Sequence, residues 1–273
     1  MVIARYRGIA HALRGQRRMG RCRWLGGFRV DVASATVAAM TRHVVVTGAA
    51  RGIGRAIAEA FVAQGDTVST IYRGGDLPAG VTGAIADITD TDAVNAAFDE
   101  LEAKHGRVRV LVANAGITRD GLLMRMSDED FESVIDVNLT GTFRCVRRAS
   151  QSMIRERYGR IVLVGSVVAL LGNPGQVNYS ASKSALVGMA RSITRELGAR
   201  GITANVIAPG FITTAMTAEL GDDVVKQYEA NIPAKRFGST EEVAAAARFL
   251  ASDDAGYISG AVLPVDGGLG MGH

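Results

Sequence analysis

The chain has 273 residues, 48% of them hydrophobic, enough for one large domain with a sizeable core. Its two cysteines, Cys22 and Cys145, stand far apart in no ligand-like spacing, and no apolar run approaches a membrane span; this excludes a disulfide framework, a metal site and a transmembrane protein, and points to a reducing, cytoplasmic setting. The net charge of +4 is unevenly placed: residues 1–40 hold eight arginines against one acid and the remainder carries −3, so the basic balance gives no reason to invoke nucleic acid.

Residues 1–40 form a basic N-terminal extension with the only tryptophan, Trp24. Organellar transit peptides and basic nucleic-acid arms share this Arg-rich, acid-poor look. No secretory apolar region follows the first basic residues. The preferred reading is that Met40 is the natural start and that the upstream stretch is a mistaken extension of the reading frame. Either way no packed structure is expected there, and residues 41–273 form the single domain.

From residue 41 onward short apolar runs alternate with helical patterns. HVVVTG reads as a strand ending in a glycine turn, and IGRAIAEAFVAQG as a helix that stops at Gly65. TVSTIY is a second strand, TDAVNAAFDELEAKHG a helix and VRVLVANAG a strand. Ser127 to Tyr158 reads as one or two helices, with Ser127 as N-cap and Glu129 and Asp130 in the first turn. Strand IVLVGS, a helix around Tyr179, strand ITANVIAPG, helix EEVAAAARFLAS and strand AVLPVDGG follow. Fully apolar strands alternating with helices predict a parallel sheet covered on both faces.

TGAARGIG, at 47–54, follows a strand and opens a helix, as a dinucleotide site requires. Its spacing is not G-x-G-x-x-G. Gly48 allows the tight turn, and Gly52 and Gly54 let backbone approach a pyrophosphate and let the helix pack on the sheet. The helix N-terminus offers unpaired N–H groups and a positive partial charge. The binding set expected there is Gly48, Arg51, Gly52, Ile53 and Gly54. The end of the second strand separates the two nicotinamide cofactors: an acid accepts from the ribose 2′-hydroxyl, a base accommodates a 2′-phosphate. This chain has Arg73 at that place and Arg51 in the glycine loop, so NADPH is the expected cofactor.

The segment SVVALLGNPGQVNYSASK contains Ser166, Tyr179 and Lys183. On a helix, Tyr179 and Lys183 stand at i and i+4 and project from one face. A phenol titrates near ~10 and is a poor acid or base at neutral pH. An ammonium one turn away stabilises the phenolate and is expected to lower that pKa. The phenol then exchanges a proton with a developing alkoxide, and Ser166 at the end of its strand helps to hold the same oxygen. A lone Tyr-x3-Lys is a weak signal, since on most helices it is a surface aromatic beside a solvated lysine. It gains weight from TGAARGIG, from ANAG at 113–116 and from APG at 208–210, which lie in the right order around it.

Together these motifs resemble the short-chain dehydrogenase/reductase family over residues 43–273. GITRDGLLMRM, GRIVLVGSVV, NYSASK, RGITANVIAPGFI and YISGAVLPVDGG are similar to its 3-oxoacyl-[acyl-carrier-protein] reductase branch, and PVDGGLGMGH to the form that serves mycolic acid elongation. The resemblance implies a doubly wound, Rossmann-type α/β domain with a seven-stranded parallel sheet in the order 3-2-1-4-5-6-7. It implies that Tyr179 donates the proton, that Lys183 assists it and touches the nicotinamide ribose, and that Ser166 orients the substrate carbonyl. Asn138, in DVNLTG, would hold a water that relays protons to Lys183. Asn114, Ala115 and Gly116 would line the adenosine ribose side, Asp87 and Ile88 the adenine, and Pro209, Gly210 and Ile212 the nicotinamide. ANAG replaces the commoner NNAG but keeps Asn114. Without the resemblance, Asn138 reads as a solvated or bend-forming asparagine and Asp87 as a turn cap.

The expected reaction is NADPH-dependent reduction of a 3-oxoacyl thioester on an acyl carrier protein, in fatty acid or mycolic acid synthesis. Phe211, Ile212 and Met216, in a variable segment, are offered to the acyl chain; ordinary packing is their alternative. Arg157 and Arg200 are expected to dock the acidic carrier; their alternative is capping of helix C-termini. The resemblance also implies a homotetramer, with helices 127–158 and 177–199 in one interface and the C-terminal strand in another. A reductase acting on acetoacetyl-CoA or another small carbonyl is the nearest rival. A 2-enoyl reductase is expected to space its Tyr and Lys by six residues instead of three. A catalytically idle nucleotide-binding sensor or scaffold is the rival of another class, and the intact Ser166, Tyr179 and Lys183 argue against it.

Overall fold

The structure is a computed structural model that describes residues 41–214 and 221–271. The expectations for residues 1–40 and for Met216 lie outside the described residues. The chain runs β1 (His43–Thr47), α1 (Gly52–Ala63), β2 (Thr67–Tyr72), β3 (Val81–Ile85), α2 (Thr91–His105), β4 (Val108–Ala113), α3 (Asp128–Ile135), α4 (Thr142–Glu156), β5 (Gly159–Val164), α5 (Val168–Leu171), α6 (Val177–Leu197), β6 (Ile202–Pro209), α7 (Asp222–Asn231), α8 (Thr240–Leu250) and β7 (Val262–Val265). The seven strands form one sheet in the order 3-2-1-4-5-6-7, and every neighbouring pair is parallel.

Alternation along the strands divides the core into two layers. Val45, Leu111, Ile161 and Leu163 join Phe98, Leu101, Met153 and Leu186 from α2, α4 and α6. Val44, Val46, Val112 and Val162 join Ile57, Phe61, Val243 and Leu250 from α1 and α8. Each fully buried side chain of this kind contributes roughly 1.5–3 kcal/mol relative to exposure. Burial on both faces is why these strands read as unbroken apolar runs.

Three elements, β3, α5 and α7, are absent from the sequence reading, and the stretch 127–158, read as one or two helices, is two. β3 went unread because it is a short edge strand with Ile85 75% exposed and a glycine in its middle. Gly83 is required by packing: a Cβ there would lie 2.5 Å from both Leu77 Cδ1 and Tyr72 Cε1. The stretch 127–158 is two helices joined by a wide π-type turn, Asp136–Gly141. Ser127 caps α3 as expected, its hydroxyl accepting from the Asp130 N–H at 3.1 Å. Among the described residues, no helix is long and apolar enough to cross a membrane.

Candidate active site

At the carboxyl end of β1 the backbone turns through Gly48 at φ +72° and Gly52 at φ +54°, conformations that glycine adopts without steric cost. Gly54 serves close approach instead: a Cβ there would lie 2.4 Å from both Asn114 Nδ2 and the Gly48 carbonyl. Thr47 and Asn114 fasten this loop to the end of β4. Thr47 Oγ1 accepts from the Asn114 and Ala115 N–H groups, both at 3.0 Å. Asn114 Nδ2 donates to the carbonyls of Thr47 at 3.0 Å and Gly48 at 3.4 Å. Helix α1 opens behind the exposed Arg51, whose side chain makes no capping bond. Bare backbone, a tight turn and an uncapped helix start fit a dinucleotide pyrophosphate. Ile53, half-buried, packs against the α1 and α8 layer.

Arg73 leaves β2 and faces Asp87, which follows β3, with 3.7 Å between guanidinium and carboxylate. Both side chains are substantially exposed, so the pair is weak and available for exchange. Asp87 Oδ1 also accepts from the Thr89 N–H at 2.9 Å and hydroxyl at 2.8 Å. These Thr89 bonds, foremost the backbone one, and then Arg73 hold its carboxyl below the usual carboxylate range against the opposing effect of burial. Asp87 thus does cap a turn. Ile88 is buried against Gly141, where a Cβ would lie 2.7 Å from Ile88 Cγ1. Its side chain is committed to packing, and its carbonyl accepts from Arg144 Nη1 at 3.5 Å.

Ser166 follows β5 and is nearly buried; its Oγ accepts from the Val168 N–H at 3.2 Å. Tyr179 and Lys183 stand one turn apart on α6. The Lys183 ammonium is buried, donates to the Val164 carbonyl at 2.8 Å, and lies 5.7 Å from the Tyr179 ring centroid. Burial pulls its pKa down from 10.5 to about 8. The Tyr179 phenol is held above its ordinary value, not below it as the spacing predicts. Burial is the main cause and the Asp120 carboxylate adds to it, while hydrogen bonding with Ser166 opposes them.

Asn138 sits fully buried in the wide turn between α3 and α4. Its Oδ1 accepts from the Ile117 N–H at 2.8 Å, and its Nδ2 donates to the Ile117 carbonyl at 3.0 Å and to Ser182 Oγ at 3.1 Å. Both amide protons are therefore engaged, and only acceptor capacity remains for the expected water. Gly116 keeps this corner open: a Cβ there would lie 3.0 Å from Asn138 Oδ1 and 3.4 Å from Lys183 Nζ. Beside Ser166, the Val167 N–H donates to the Pro209 carbonyl at 2.8 Å, and the Gly210 N–H to the Val265 carbonyl at 3.0 Å. One edge of the sheet thus gathers the glycine loop, Asn114–Gly116, Asn138, Ser166, Tyr179, Lys183 and Pro209–Gly210.

A family model described as "Enoyl-(Acyl carrier protein) reductase" matches residues 48–270. The chain belongs to the short-chain dehydrogenase/reductase family. The 3-oxoacyl-[acyl-carrier-protein] reductase MabA of Mycobacterium tuberculosis (strain ATCC 25618 / H37Rv) is 52% identical over 234 residues, which are 86% of this chain and 95% of that protein. MabA of Mycobacterium avium is also 52% identical over 234 residues, 86% of this chain and 92% of its own length. The 3-oxoacyl-[acyl-carrier-protein] reductase FabG of Escherichia coli (strain K12) is 46% identical over 235 residues, 83% of this chain and 96% of that protein. Membership implies a nicotinamide cofactor.

In this short-chain dehydrogenase/reductase the remaining expected residues divide. Phe211 stacks on Tyr228 and Phe237, with ring centroids 4.3 and 5.5 Å away, and Ile212 is buried in the α1 and α8 layer. These are packing contacts, and Phe211 keeps part of its surface exposed. Arg157 and Arg200 are exposed and adjacent, Arg157 donating to the Ala199 carbonyl at 3.4 Å. Arg157 is also the C-cap of α4, at φ 50°. Both precede strands β5 and β6, so they lie at the amino edge of the sheet, opposite Ser166. The six residues of β5 separate those edges by roughly 20 Å.

Three further residues shape the site. Asn178, fully buried, donates to the Arg119 carbonyl at 2.8 Å and accepts from the Tyr179 N–H at 2.7 Å. It pins the start of α6 to the loop after β4. Ser182 orients Asn138, and Thr47 holds Asn114. The signal for Asn178 is an amide residue directly before the tyrosine; Thr47 and Ser182 carry none.

Proposed function

We propose that this chain reduces 3-oxoacyl thioesters of an acyl carrier protein to the 3-hydroxyacyl products, with NADPH as cofactor, in fatty acid or mycolic acid synthesis. The observation that carries the reading is the half-buried Tyr179 one helical turn from the buried Lys183, beside Ser166 and a glycine cradle, on a chain 52% identical to MabA reductases. The three-residue spacing of Tyr179 and Lys183 favours ketone over enoyl reduction.

The cofactor, when bound, supplies the hydride to C3. Gly48, Gly52, Ile53 and Gly54 would hold its pyrophosphate by backbone, and Asn114, Ala115 and Gly116 its adenosine ribose. Arg51 and Arg73 would take the 2′-phosphate, with Asp87 and Ile88 at the adenine and Pro209, Gly210 and Ile212 at the nicotinamide. Ser166 hydrogen-bonds the substrate carbonyl oxygen and fixes its position. Tyr179, a phenol that keeps its proton at neutral pH, donates it to the alkoxide that develops. The buried Lys183 ammonium, below its pKa of about 8 at neutral pH, stabilises the phenolate left behind and returns a proton to it. Asn138 holds the relay water through its acceptor oxygens. Phe211 and Met216 border the acyl chain.

Arg157 and Arg200 would dock the acidic carrier. From the amino edge of the sheet this patch faces away from its own protomer's site, and the reading we adopt is that it serves a neighbouring protomer of a homotetramer. Exposed Phe131 and Phe143 on α3 and α4, and Val177 at the start of α6, support an interface there. We place the enzyme in the cytoplasm; Cys145, buried and unpaired, is in keeping with a reducing compartment. Residues 41–273 are proposed as the catalytic domain and residues 1–40 as a dispensable extension. Tyr179→Phe tests the reading: NADPH binding survives and turnover of acetoacetyl-CoA is lost. Retained turnover would assign the proton to another group.

A further inference from the structure

The last turn of the described chain is built around a carboxylate that none of these roles uses. Asp266, at the exit of β7, accepts from the Gly268 N–H at 2.9 Å and the Gly270 N–H at 2.7 Å, one on each oxygen. The two bonds fold residues 266–270 back on themselves, with Gly267 at φ +64° and Gly268 at φ +89°. The folded turn is wedged against the site from three directions. Gly270 is buried, and a Cβ there would lie 2.7 Å from Cγ2 of Val167, the neighbour of Ser166. Gly210 passes so close that a Cβ on it would lie 2.8 Å from both Cα and Cβ of Asp266. The Gly267 carbonyl accepts from the Ala234 N–H at 3.0 Å, which secures the turn after α7. The bonds from Val167 to Pro209 and from Gly210 to Val265 close the ring.

We propose that Asp266 is a positioning residue for the reaction: its carboxylate braces turn 266–270 against Val167 and so fixes Ser166 relative to Gly210. This rests on the reading that Ser166 orients the substrate carbonyl and Gly210 borders the nicotinamide, and it adds the element that sets their spacing. Ser166 passes from β5 directly into α5, a helix of only four residues with little stiffness of its own. Close packing of Gly270 on the far side of Val167 removes that freedom. Without the carboxylate, two N–H groups lose their acceptor and the wedge is released. Reacting atoms tolerate little misplacement; about 1 Å costs on the order of 10²-fold in rate.

The test uses the full chain with NADPH and acetoacetyl-CoA, and NADPH binding read by fluorescence. Asp266→Ala is expected to lower kcat about 10- to 100-fold, with KM and NADPH affinity within about threefold of wild type. Asp266→Asn keeps one oxygen acceptor and recovers part of the loss. Gly270→Ala keeps the carboxylate in the chain but presses on both Val167 Cγ2 and Asp266 Oδ2, 2.7 and 2.9 Å from its Cβ, and lowers kcat in the same way. The deciding comparison is a double-mutant cycle with Ser166→Ala. If Asp266 acts through Ser166, then Asp266→Ala costs less than about twofold in kcat in the Ser166→Ala background. Fully additive losses, or losses in KM or NADPH affinity alone, overturn the proposal. A wild-type chain inactive on every 3-oxoacyl thioester overturns the reading of the site instead, so the two failures are distinct. Should Asp266→Ala fail to fold, Asp266→Asn and Gly270→Ala carry the cycle.

Discussion

Lys183→Met separates the stability of this fold from its chemistry. The change keeps an unbranched apolar stem and removes a buried charge. In the folded protein the lysine pKa is pulled from 10.5 to about 8 by burial alone, which corresponds to about 3 kcal/mol of destabilisation while both states are protonated. Against this, Lys183→Met leaves the Val164 carbonyl without its 2.8 Å donor, at a cost of about 1–3 kcal/mol. At pH 7 the variant is therefore expected to be more stable by roughly 1 kcal/mol, about 2–4 °C in Tm for a domain of this size. Between pH 8 and pH 10.5 the folded wild type sheds the lysine proton while the unfolded chain keeps it. Wild-type stability thus rises through that window relative to the variant, and the order reverses. Urea or thermal unfolding of both proteins at pH 7 and pH 10, at equal concentration, reads the difference. A gap that does not change with pH, or a variant less stable at pH 7, would show that the buried ammonium does not destabilise the fold. Turnover should be lost at both pH values.

Arg73→Asp should raise the KM for NADPH by at least about tenfold, on the order of 1.4 kcal/mol, and leave that for NADH nearly unchanged. Equal effects on both cofactors would remove Arg73 from 2′-phosphate recognition. Gly54→Ala places a methyl group 2.4 Å from Asn114 Nδ2 and the Gly48 carbonyl, and should weaken dinucleotide binding at least about tenfold by fluorescence titration. Unchanged affinity would mean that the loop relaxes freely. Arg157→Glu with Arg200→Glu should lower kcat/KM for carrier-bound substrate at least about tenfold at low salt, fading as the screening length falls below roughly 10 Å. Acetoacetyl-CoA turnover should barely change; equal loss on both substrates would make the two arginines structural.

The sheet was legible because its central strands are buried on both faces, so HVVVT and IVLV stand out as unbroken apolar runs. β3 was not, because an edge strand with an exposed Ile85 and a central Gly83 carries neither an apolar run nor a clean alternation. The glycine loop and the Tyr179–Lys183 spacing were legible because local backbone needs dictate those residue types. Spacing along one helix, however, carries no information on depth. It predicts a depressed phenol pKa, whereas burial and Asp120 raise it. Asn138 was legible only through the resemblance, since its meaning comes from Ile117 and Ser182, far away in sequence. Arg157 and Arg200 were read as a pair, but their position at the amino edge follows from the parallel topology of β5 and β6.

The most direct measurement is the initial rate of NADPH oxidation by the full chain on 3-oxoacyl-[acyl-carrier-protein], with NADH and with the coenzyme A thioesters run in parallel. A 3-oxoacyl reductase with these site residues turns over the carrier-bound substrate rapidly with NADPH, more slowly with NADH, and not at all as Tyr179→Phe. An absence of NADPH oxidation on every 3-oxoacyl thioester, with NADPH binding intact, would contradict that activity.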